Sequence, residues 1–560
     1  MTELLLHPAL LLIVGGIALG FARGPARAAL ILLLPVVALY LVWRLPDGVH
    51  LRVHFLDLEL APIAADKLSR LFATIFAIMA FAGGLFALKQ PNRLEVPAAF
   101  VYAGSAMGVT LAGDLVTVFV FWELMAIGST LVVWSAGAGA YRASLRYLMV
   151  HLLGGVLLMA GIAGHIADTG SVEFGRMQLD SAAHWLILAG FLINAGAPPL
   201  SAWLPDAYPE ASWSGMVFLS AFTTKTAVYV LLRGFPGVEL LVYVGMFMIF
   251  YGIIYALLEN DMRRILAYSI VNQVGFMVVG IGIGTEMALN GAAAHAFTHI
   301  IYKALLLMSA GSVLLITGKR KCTDLGGLFQ SMPLTAVCGI VGALAISAFP
   351  FTSGFVSKSM ISQSAADQHL LYIWLGLAAA SAGVFLHAGI KFPWFVFFQK
   401  DSGLRPPDPP GNMRLAMVFF ASLCILLGLF PGPLYALLPY AVDYVPYTGA
   451  HVVTQLQLLL FSGLAFFVFL KYMRRTLTVT LDLDWIYRVP LTAAVRSTTR
   501  GVARLRGDMG GFLGRHGRGL AVRLYRRHGP EGVLARTWPT GSMALWVMLM
   551  LLAYLLLYYV

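Results

Sequence analysis

The chain has 560 residues, of which 59% are hydrophobic and only 11% are charged. Soluble proteins are roughly a quarter charged, so this composition excludes a soluble globular fold. The formal net charge of +12 does not indicate nucleic-acid binding, because the Lys and Arg residues cluster in short loops between apolar stretches, where membrane proteins keep them on the cytoplasmic side.

Apolar stretches long enough to cross a bilayer recur along nearly the whole chain. A membrane-spanning helix needs about 20 apolar residues, and this criterion predicts about 16 spans. In chain order, they lie near residues 4–22, 27–45, 67–89, 95–112, 115–135, 142–167, 183–203, 211–233, 238–258, 263–283, 287–317, 332–363, 371–398, 413–437, 452–472 and 540–560. The sequence therefore predicts an all-α polytopic membrane protein.

Basic residues in alternate loops predict the topology. Lys and Arg favour cytoplasmic loops, and the loops expected on one face carry Arg23 and Arg27, Lys89 and Arg93, Arg142 and Arg146, Arg263 and Arg264, Lys319 to Lys321, Lys400 and Arg405, and Lys471 to Arg475. The first apolar run has no basic residue before it, so it is expected to remain as a helix rather than act as a signal peptide. We expect a bacterial-type cytoplasmic (inner) membrane protein with both termini outside the cytoplasm.

Cysteine usage gives no sign of a cofactor. The three cysteines, Cys322, Cys338 and Cys424, form no CxxC pattern, so the sequence supports neither an iron–sulfur cluster nor a disulfide framework. At least two of them are expected to be small buried hydrophobic residues.

The stretch from about Arg474 to Arg536 differs from the rest of the chain. It is rich in arginine and is interrupted by Gly510, Gly511, Gly514, Gly517 and Gly519. Its pieces at 485–506 and 512–527 mix apolar and basic residues, as interfacial amphipathic helices do. A partly disordered cytoplasmic loop is the alternative, because glycine disfavours helix.

Ionisable residues in the middle of apolar spans are the candidate functional groups. Each costs at least a few kcal/mol at that depth and needs a partner or a water-filled cavity. Glu123 and Lys225 lie near the centres of their predicted helices. Low dielectric would couple the protonation states of such groups strongly. For any one of them, an ion pair that only holds helices together is the structural alternative.

A histidine and lysine stripe marks the span 287–317. His295, His299 and Lys303 follow at four-residue steps, which at about 100° per residue places them along one drifting stripe of a helix. These groups could relay a proton through water, since histidine titrates nearest neutral pH. Zinc is one alternative, but no carboxylate or cysteine lies nearby in sequence to complete a site, so we expect no metal. Histidines that only bond neighbouring helices are another alternative.

Two predicted spans are interrupted. Pro198 and Pro199 follow Gly196 in one span, and Pro350 and Gly354 break the other. Proline removes a backbone donor, and open backbone at membrane depth is tolerated only where protein or a hydrated cavity covers it.

Lysines accompany both interruptions. Lys358 follows the second break, and each broken span is followed by a span with a central lysine, Lys225 in one case and Lys391 in the other. This pattern indicates two repeated halves of about five helices, a feature of secondary transporters.

The motifs FVFWELMAIGS, PPLSAWLPDAYPEAS, NDMRRILAYSIVNQVGFM, HAFTHIIYKALLLMSAGSV and SAFPFTSGFVSKSMI resemble those of a known family. They are similar to the antiporter-like subunits of respiratory complex I and of Mrp-type multi-subunit cation/proton antiporters, with the D-type subunit of the latter the nearest. The resemblance implies two inverted five-helix repeats, helices four to eight and nine to thirteen.

The resemblance also implies a division of the chain. It places N-terminal helices at 1–94, the two repeats at 95–233 and 238–398, C-terminal helices at 413–472, a basic interfacial segment at 473–538 and an anchor at 540–560. The basic segment with its terminal helix looks like a reduced version of the lateral helix and anchor of the distal complex I subunit.

The same resemblance implies roles for the ionisable residues. Glu123 and Lys225 match the proton path of the first half, and Lys358 matches the lysine that faces the exit. His295, His299 and Lys303 match the stripe of the second half, whereas Lys391 matches less closely.

One position departs from the family pattern. The family usually has a lysine in the broken seventh helix as the partner of the glutamate, and this chain has Asn194 there. Either Glu123 pairs with Lys225 instead, or its carboxyl group is neutral. The first half could then be altered or idle.

The resemblance implies a proton- and cation-translocating subunit of a hetero-oligomeric Mrp-type antiporter, working in the bilayer with other membrane subunits. Protons are the expected cargo, with Na⁺ or K⁺ left open, and the chain itself would carry no catalytic chemistry. The same module in a complex I-like or hydrogenase-type redox complex, or in a bicarbonate-handling complex, is the first alternative. A membrane enzyme for lipid-linked substrates is another, although the external loops are short and carry no paired carboxylates.

Overall fold

The computed structural model describes residues 7–472, 481–530, 532–533 and 535–559. The chain divides into two compact units, Met1–Asp484 and Trp485–Val560. The first unit consists of helices and one two-stranded hairpin. Residues 473–480, which begin the predicted basic segment, lie outside the described residues.

The first half of the chain has the following elements. They are α1 Pro8–Leu19, α2 Gly24–Arg44, β1 Gly48–Phe55, β2 Leu58–Ala65, α3 Lys67–Phe86, α4 Glu95–Leu111, α5 Leu115–Trp134, α6 Tyr141–Thr169, α7 Ala182–Ala195, α8 Trp203–Ala207, α9 Gly215–Leu219, α10 Thr223–Gly234 and α11 Leu240–Leu258.

The second half continues with further helices. They are α12 Met262–Ile283, α13 Glu286–Thr317, α14 Pro333–Ile346, α15 Ser353–Asp367, α16 Leu371–Val384, α17 Gly411–Leu429, α18 Gly432–Ala436, α19 Gly449–Val468, α20 Asp484–Arg488, α21 Pro490–His528 and α22 Thr540–Tyr559.

The described part of the chain contains 12 helical stretches that are long and apolar enough to cross a membrane. The other predicted spans fall on shorter helices, namely α1, α4, α7 and the pair α14 and α15. Three of these four spans have helices shorter than predicted for local reasons. α7 and the α14–α15 pair are interrupted spans, and the predicted span 4–22 begins outside the described residues.

Both predicted helix breaks are confirmed. α7 ends at Ala195, where Gly196 adopts a left-handed backbone with a φ of 79° that glycine accommodates without a Cβ penalty. α14 ends at Ile346 and the chain resumes helix only at Ser353, so Pro350 lies in the break, whereas Gly354, which was predicted to be part of it, lies inside α15. Gly196 and Ala197 of the first break and Ser347, Ala348 and Pro350 of the second are buried, in keeping with the need to cover open backbone within a membrane.

The α16 helix changes its winding where the sequence predicts one uniform span. It passes into π-helical turns at Phe385–Lys391 and again at Trp394–Phe398, on either side of Pro393. Proline cannot donate to the helical ladder, and π turns of this kind are frequent at functional sites.

A β-hairpin lies where the sequence predicts no element. β1 and β2 pair antiparallel from Gly48↔Ala65 to Phe55↔Leu58. The Ala61 amide donates to the Asp114 carboxylate at 2.8 Å, which ties β2 to the start of α5. Apolar and polar residues alternate along β1, the period-two pattern of a strand, but a criterion based on membrane-length runs passes over it.

The basic stretch forms one long helix. α21 is 39 residues long and runs without interruption through the five glycines named above. The predicted division into pieces at 485–506 and 512–527 is therefore wrong, as is the disordered-loop alternative for this part. Arginine, alanine and leucine are strong helix formers, and they offset the glycines here.

α12 and α13 form the centre of the first unit. Every residue of α12 except Arg264 and Ile283 is buried, and so is every residue of α13 from Ala288 to Val313. Side-chain caps begin both helices, since Asp261 accepts from the Arg263 amide and Thr285 from the Ala288 amide. These two helices carry polar residues into the most enclosed part of the molecule.

Candidate functional site

Four of the predicted residues lie together in the core. Lys225, His295, His299 and Lys303 are each 0% exposed. His299 interacts electrostatically with the other three, and the rings of His295 and His299 have centroids 6.3 Å apart. The structure therefore brings α10 next to the stripe on α13.

The α13 stripe faces polar side chains of α12 and α15. His295 Nε2 lies 3.0 Å from Gln273 Oε1, and its Nδ1 lies 3.1 Å from Ser357 Oγ. Lys303 Nζ donates to Ser269 Oγ at 2.8 Å. Each of these neighbours is neutral, so hydrogen bonds rather than ion pairs hold the stripe.

His299 lacks such neighbours. Within the described residues, neither of its ring nitrogens meets a hydrogen-bond partner, although the side chain is wholly buried. Buried polar atoms of this kind usually bond to ordered water. His299 interacts electrostatically with Lys225 and Lys303, the two lysines that also interact with each other.

Lys225 is held at the start of α10. Its Nζ donates to the Ser220 carbonyl at 2.6 Å and to Thr224 Oγ1 at 3.0 Å. The helical stretch is interrupted between α9 and α10, which leaves the Ser220 carbonyl free to accept. The ammonium group thus rests on backbone and hydroxyl oxygens of its own segment.

Lys358 occupies the helix after the second break. Its Nζ lies 4.1 Å from the centroid of the Phe276 ring, a cation–π contact, and it interacts electrostatically with His295. Among the described residues its Nζ has no hydrogen-bond partner. It lines a cavity of about 110 Å³ together with His451, Gln455 and Ser381, among others.

Lys391 has a different environment from the other lysines. Its Nζ donates to the carbonyls of Ala256, Leu257 and Glu259 at 3.0, 2.6 and 2.6 Å. These carbonyls lie at the C-terminal end of α11, so the Lys391 side chain caps that helix. Its place in an ion path stays a prediction.

His387 is a buried histidine that the sequence reasoning missed. It lies one turn before Lys391, is 0% exposed and interacts electrostatically with Lys303, Lys391 and Lys358. It therefore lies within electrostatic range of the α13 stripe and of the two later lysines. His387 and Lys391 are four residues apart in the segment HAGIK, the same spacing as in the α13 stripe, and this signal in the sequence indicates His387 as a candidate.

Glu123 lies apart from Lys225. It is half-buried on α5 against Gly155 of α6, and a Cβ at that glycine would lie 1.9 Å from Glu123 Oε1. That oxygen has no hydrogen-bond partner in the described part of the chain. No ion pair joins Glu123 to Lys225 among the described residues, so the first alternative raised by Asn194 is not supported.

Asn194 lies against Gly154, the residue of α6 that precedes Gly155. Its Oδ1 lies 3.6 Å from the position that a Cβ would take at Gly154. The side chain is 0% exposed, and neither amide atom has a partner in the residues that the structure describes. Glu123 and Asn194 thus face two successive positions of α6.

In the described ranges, no group of three or more His, Cys, Asp or Glu side chains is placed to hold a metal ion. Cys322, Cys338 and Cys424 are all buried, which confirms the prediction of small buried residues.

Comparison with known proteins identifies the family. Residues 112–385 match the family model described as NADH:quinone oxidoreductase/Mrp antiporter, TM. The chain is 29% identical to the D-type subunit of the Na(+)/H(+) antiporter of Alkalihalophilus pseudofirmus, over 67% of this chain and 82% of that protein. It is 29% identical to the N-type subunit of the NADH-quinone oxidoreductase of Desulforudis audaxviator, over 72% and 88%. An uncharacterized protein of Mycobacterium tuberculosis, Rv0083, is 30% identical over 75% and 72%.

Solved structures share the fold. A chain of the Mrp complex from Dietzia sp. DQ12-45-1b matches with a TM-score of 0.76 and 22% identity, over 93% of this chain and 63% of that longer chain. A chain of the membrane-bound sulfane sulfur reductase, an archaeal respiratory membrane complex, matches with a TM-score of 0.72 and 23% identity, over 98% and 99%. Both belong to multi-subunit membrane complexes.

The buried lysine and histidine row, the two broken helices and these similarities agree. The chain belongs to the NADH:quinone oxidoreductase/Mrp antiporter transmembrane family and is a multi-pass, antiporter-like membrane subunit of the Mrp or complex I-like kind.

Proposed function

We propose that the chain is the proton- and cation-translocating subunit of a hetero-oligomeric Mrp-type monovalent cation/proton antiporter. The observation that carries this proposal is the buried row of Lys225, His299, Lys303, His295 and Lys358 across α10, α13 and α15. Protonating all members at once is unfavourable in a low dielectric, so a proton arriving at one favours release from the next.

The proposed architecture has about 16 crossings, with inverted repeats at 95–233 and 238–398 and both termini outside the cytoplasm. Support comes from the position of the two breaks, because each proposed half contains one interrupted helix. The other proposed parts are the helices at 1–94 and 413–472, the interfacial segment 473–538 and the anchor 540–560. The bacterial inner membrane is the proposed location, supported by the bacterial relatives and the basic loops.

Other membrane subunits are the proposed partners, and protons with Na⁺ or K⁺ the proposed cargo. The similarity to a Na(+)/H(+) antiporter chain supports this choice. A coupled subunit needs neighbours that complete the ion path, and a half-buried carboxylate such as Glu123 is placed where a neighbour could cover it.

A second candidate is the same module in a complex I-like redox complex. It is favoured by the similarity to the NADH-quinone oxidoreductase chain over 88% of that protein and by the fold match over 99% of the sulfane sulfur reductase chain. Redox cofactors would then lie in partner proteins. Purification of the native complex in mild detergent decides between them, since iron–sulfur or flavin proteins would accompany the chain only in the second case.

Transport by the native complex in proteoliposomes tests the proposal. Lys358→Ala and Glu123→Gln are each expected to abolish cation-dependent proton movement across the membrane, because each removes a titratable group from the path. Lys89→Ala, which changes an exposed lysine, is the matched control and should transport normally. Wild-type rates in both path variants, with the complex intact on a native gel, would refute the function.

A further inference from the structure

A further buried histidine that the sequence analysis did not single out is His151 of α6. It is 1% exposed, and it lies one helical turn before Gly155, the residue against which Glu123 packs. Four residues of helix rise by about 6 Å. His151 is therefore the next titratable side chain from Glu123 along this face of α6.

The hydrogen bonding of His151 leaves one nitrogen available. Its Nδ1 lies 2.9 Å from the Tyr147 carbonyl, and because a carbonyl only accepts, Nδ1 must carry a hydrogen. In the neutral ring Nε2 is then an acceptor. Within the described residues, this buried Nε2 has no partner, whereas a histidine with a purely structural role normally has its buried polar atoms satisfied.

A chain of hydroxyl groups continues from His151 toward Lys225. The imidazole stacks on the Tyr147 ring, with centroids 3.9 Å apart. The Tyr147 hydroxyl contacts Ser129 Oγ at 2.9 Å and Thr223 Oγ1 at 3.3 Å. Thr223 precedes Lys225 by two residues at the start of α10.

Tyr102 adds to this connection from α4. Its hydroxyl lies 2.6 Å from Thr223 Oγ1 and accepts from the Thr223 amide at 2.8 Å. Hydroxyl groups can donate and accept at once, so they can pass a proton without carrying a charge. The cluster formed by Tyr102, Tyr147, Ser129 and Thr223, here the hydroxyl cluster, joins α4, α5 and α6 to the start of α10, two residues before Lys225.

Asn194 places a side chain that cannot titrate next to the break that follows α7. Its amide cannot take up a proton, and it faces Gly154 of α6. Glu123 Oε1 of α5, His151 Nε2 of α6 and both Asn194 amide atoms of α7 are buried polar atoms without partners among the described residues, and Glu123 and Asn194 face Gly155 and Gly154 of α6. Such a group of unsatisfied atoms indicates a place where water binds.

We propose that His151 is a proton-carrying residue of the first half, taking the proton between Glu123 and the hydroxyl cluster that leads to Lys225. This inference rests on the proposed function. The proton adds to Nε2 while Nδ1 keeps its hydrogen, and it leaves again from Nε2 through water, so no bond other than N–H is made or broken. The first half is then active despite Asn194.

Transport by the native complex in proteoliposomes tests the inference. His151→Ala is expected to slow cation-dependent proton movement by at least about tenfold, since a positioned proton-transfer group contributes that much or more. Added imidazole should restore a substantial part of the rate, because it fits the space left by the ring and carries protons. Pyrrole has the same shape without a basic nitrogen and should restore nothing.

Two further variants make the outcome decisive. His151→Gln retains a side chain of similar reach and should be as slow as His151→Ala, which keeps the test open if the alanine variant fails to assemble. Wild-type transport in His151→Gln, or equal rescue by pyrrole and imidazole, would overturn the role of His151. Lys358→Ala and Glu123→Gln in the same preparation separate the two proposals, because normal transport in both of these variants would refute the function itself.

Discussion

Glu123 of α5 lies against Gly155 of α6, so closely that a Cβ at position 155 would be 1.9 Å from the carboxylate Oε1. This contact fixes where the only acidic member of the predicted path lies. A side chain at position 155 would therefore reduce transport more than it reduces the free energy of unfolding, because the far end of the glutamate can rotate away.

Gly155→Ala is therefore expected to displace the Glu123 carboxylate without unfolding the protein. Transport in proteoliposomes should fall by at least about tenfold, since displacement of a reacting group by about 1 Å is enough for such a loss. Gly139→Ala is the matched control, because nothing lies within 4 Å of a Cβ at that position. Normal transport in Gly155→Ala would show that the carboxylate position is unimportant.

Lys391→Met is expected to destabilise the end of α11. Three carbonyls, those of Ala256, Leu257 and Glu259, would lose their donor, and each unsatisfied buried acceptor costs about 1–3 kcal/mol. The free energy of unfolding should fall by at least about 2 kcal/mol. The thermal midpoint of the solubilised protein should fall with it, and this midpoint is the measurement. Lys400→Met, at an exposed lysine, should leave the midpoint unchanged.

The same position also allows two roles of Lys391 to be separated. If Lys391→Arg, which keeps the donors, restores the thermal midpoint but not transport, the residue both caps α11 and lies in the ion path. Restoration of both by arginine would favour the cap alone, because guanidinium groups remain protonated in proteins.

Asp482 is held beside α11 and α12 by tyrosines. The Tyr251 hydroxyl donates to its carboxylate at 2.6 Å and the Tyr268 hydroxyl donates to the other oxygen. Changing both tyrosines to phenylalanine should free this segment, because a hydrogen bond to a charged group contributes about 1.5–3 kcal/mol.

Labelling of Leu483→Cys by a water-soluble maleimide measures that release. The double Tyr251→Phe, Tyr268→Phe background should label at least about tenfold faster than the wild-type background, in keeping with the energy of the lost bonds. Tyr243→Phe removes an exposed hydroxyl that donates to Glu239 and serves as the control. Equal labelling in all three backgrounds would mean that the tyrosines do not hold Asp482.

Much of the fold could be predicted because its signals are local. Apolar length marks the helices, and Gly196 with the following prolines marks the break after α7. The β1–β2 hairpin was missed because a search for membrane-length apolar runs ignores period-two alternation. The continuity of α21 was missed because too much weight was given to the low helix propensity of glycine. These are errors of local signal, not of tertiary structure.

Some residues of the candidate site could be predicted from the sequence, and others could not. The α13 stripe could be predicted because its spacing is helical, and the same spacing could have found His387. The position of Glu123 beside Gly155 could not, because it depends on how α5 packs on α6. His151 has no histidine or lysine one helical turn away, and only packing against Tyr147 and Trp203 reveals its place.

Proton movement through the Lys303→Met complex in proteoliposomes tests the central claim most directly. Lys303 lies in the middle of the buried row, and methionine keeps its length without a titratable group. The account predicts that cation-dependent proton movement is lost while the complex assembles normally and Lys89→Met transports at the wild-type rate. Undiminished proton movement through an assembled Lys303→Met complex would contradict it.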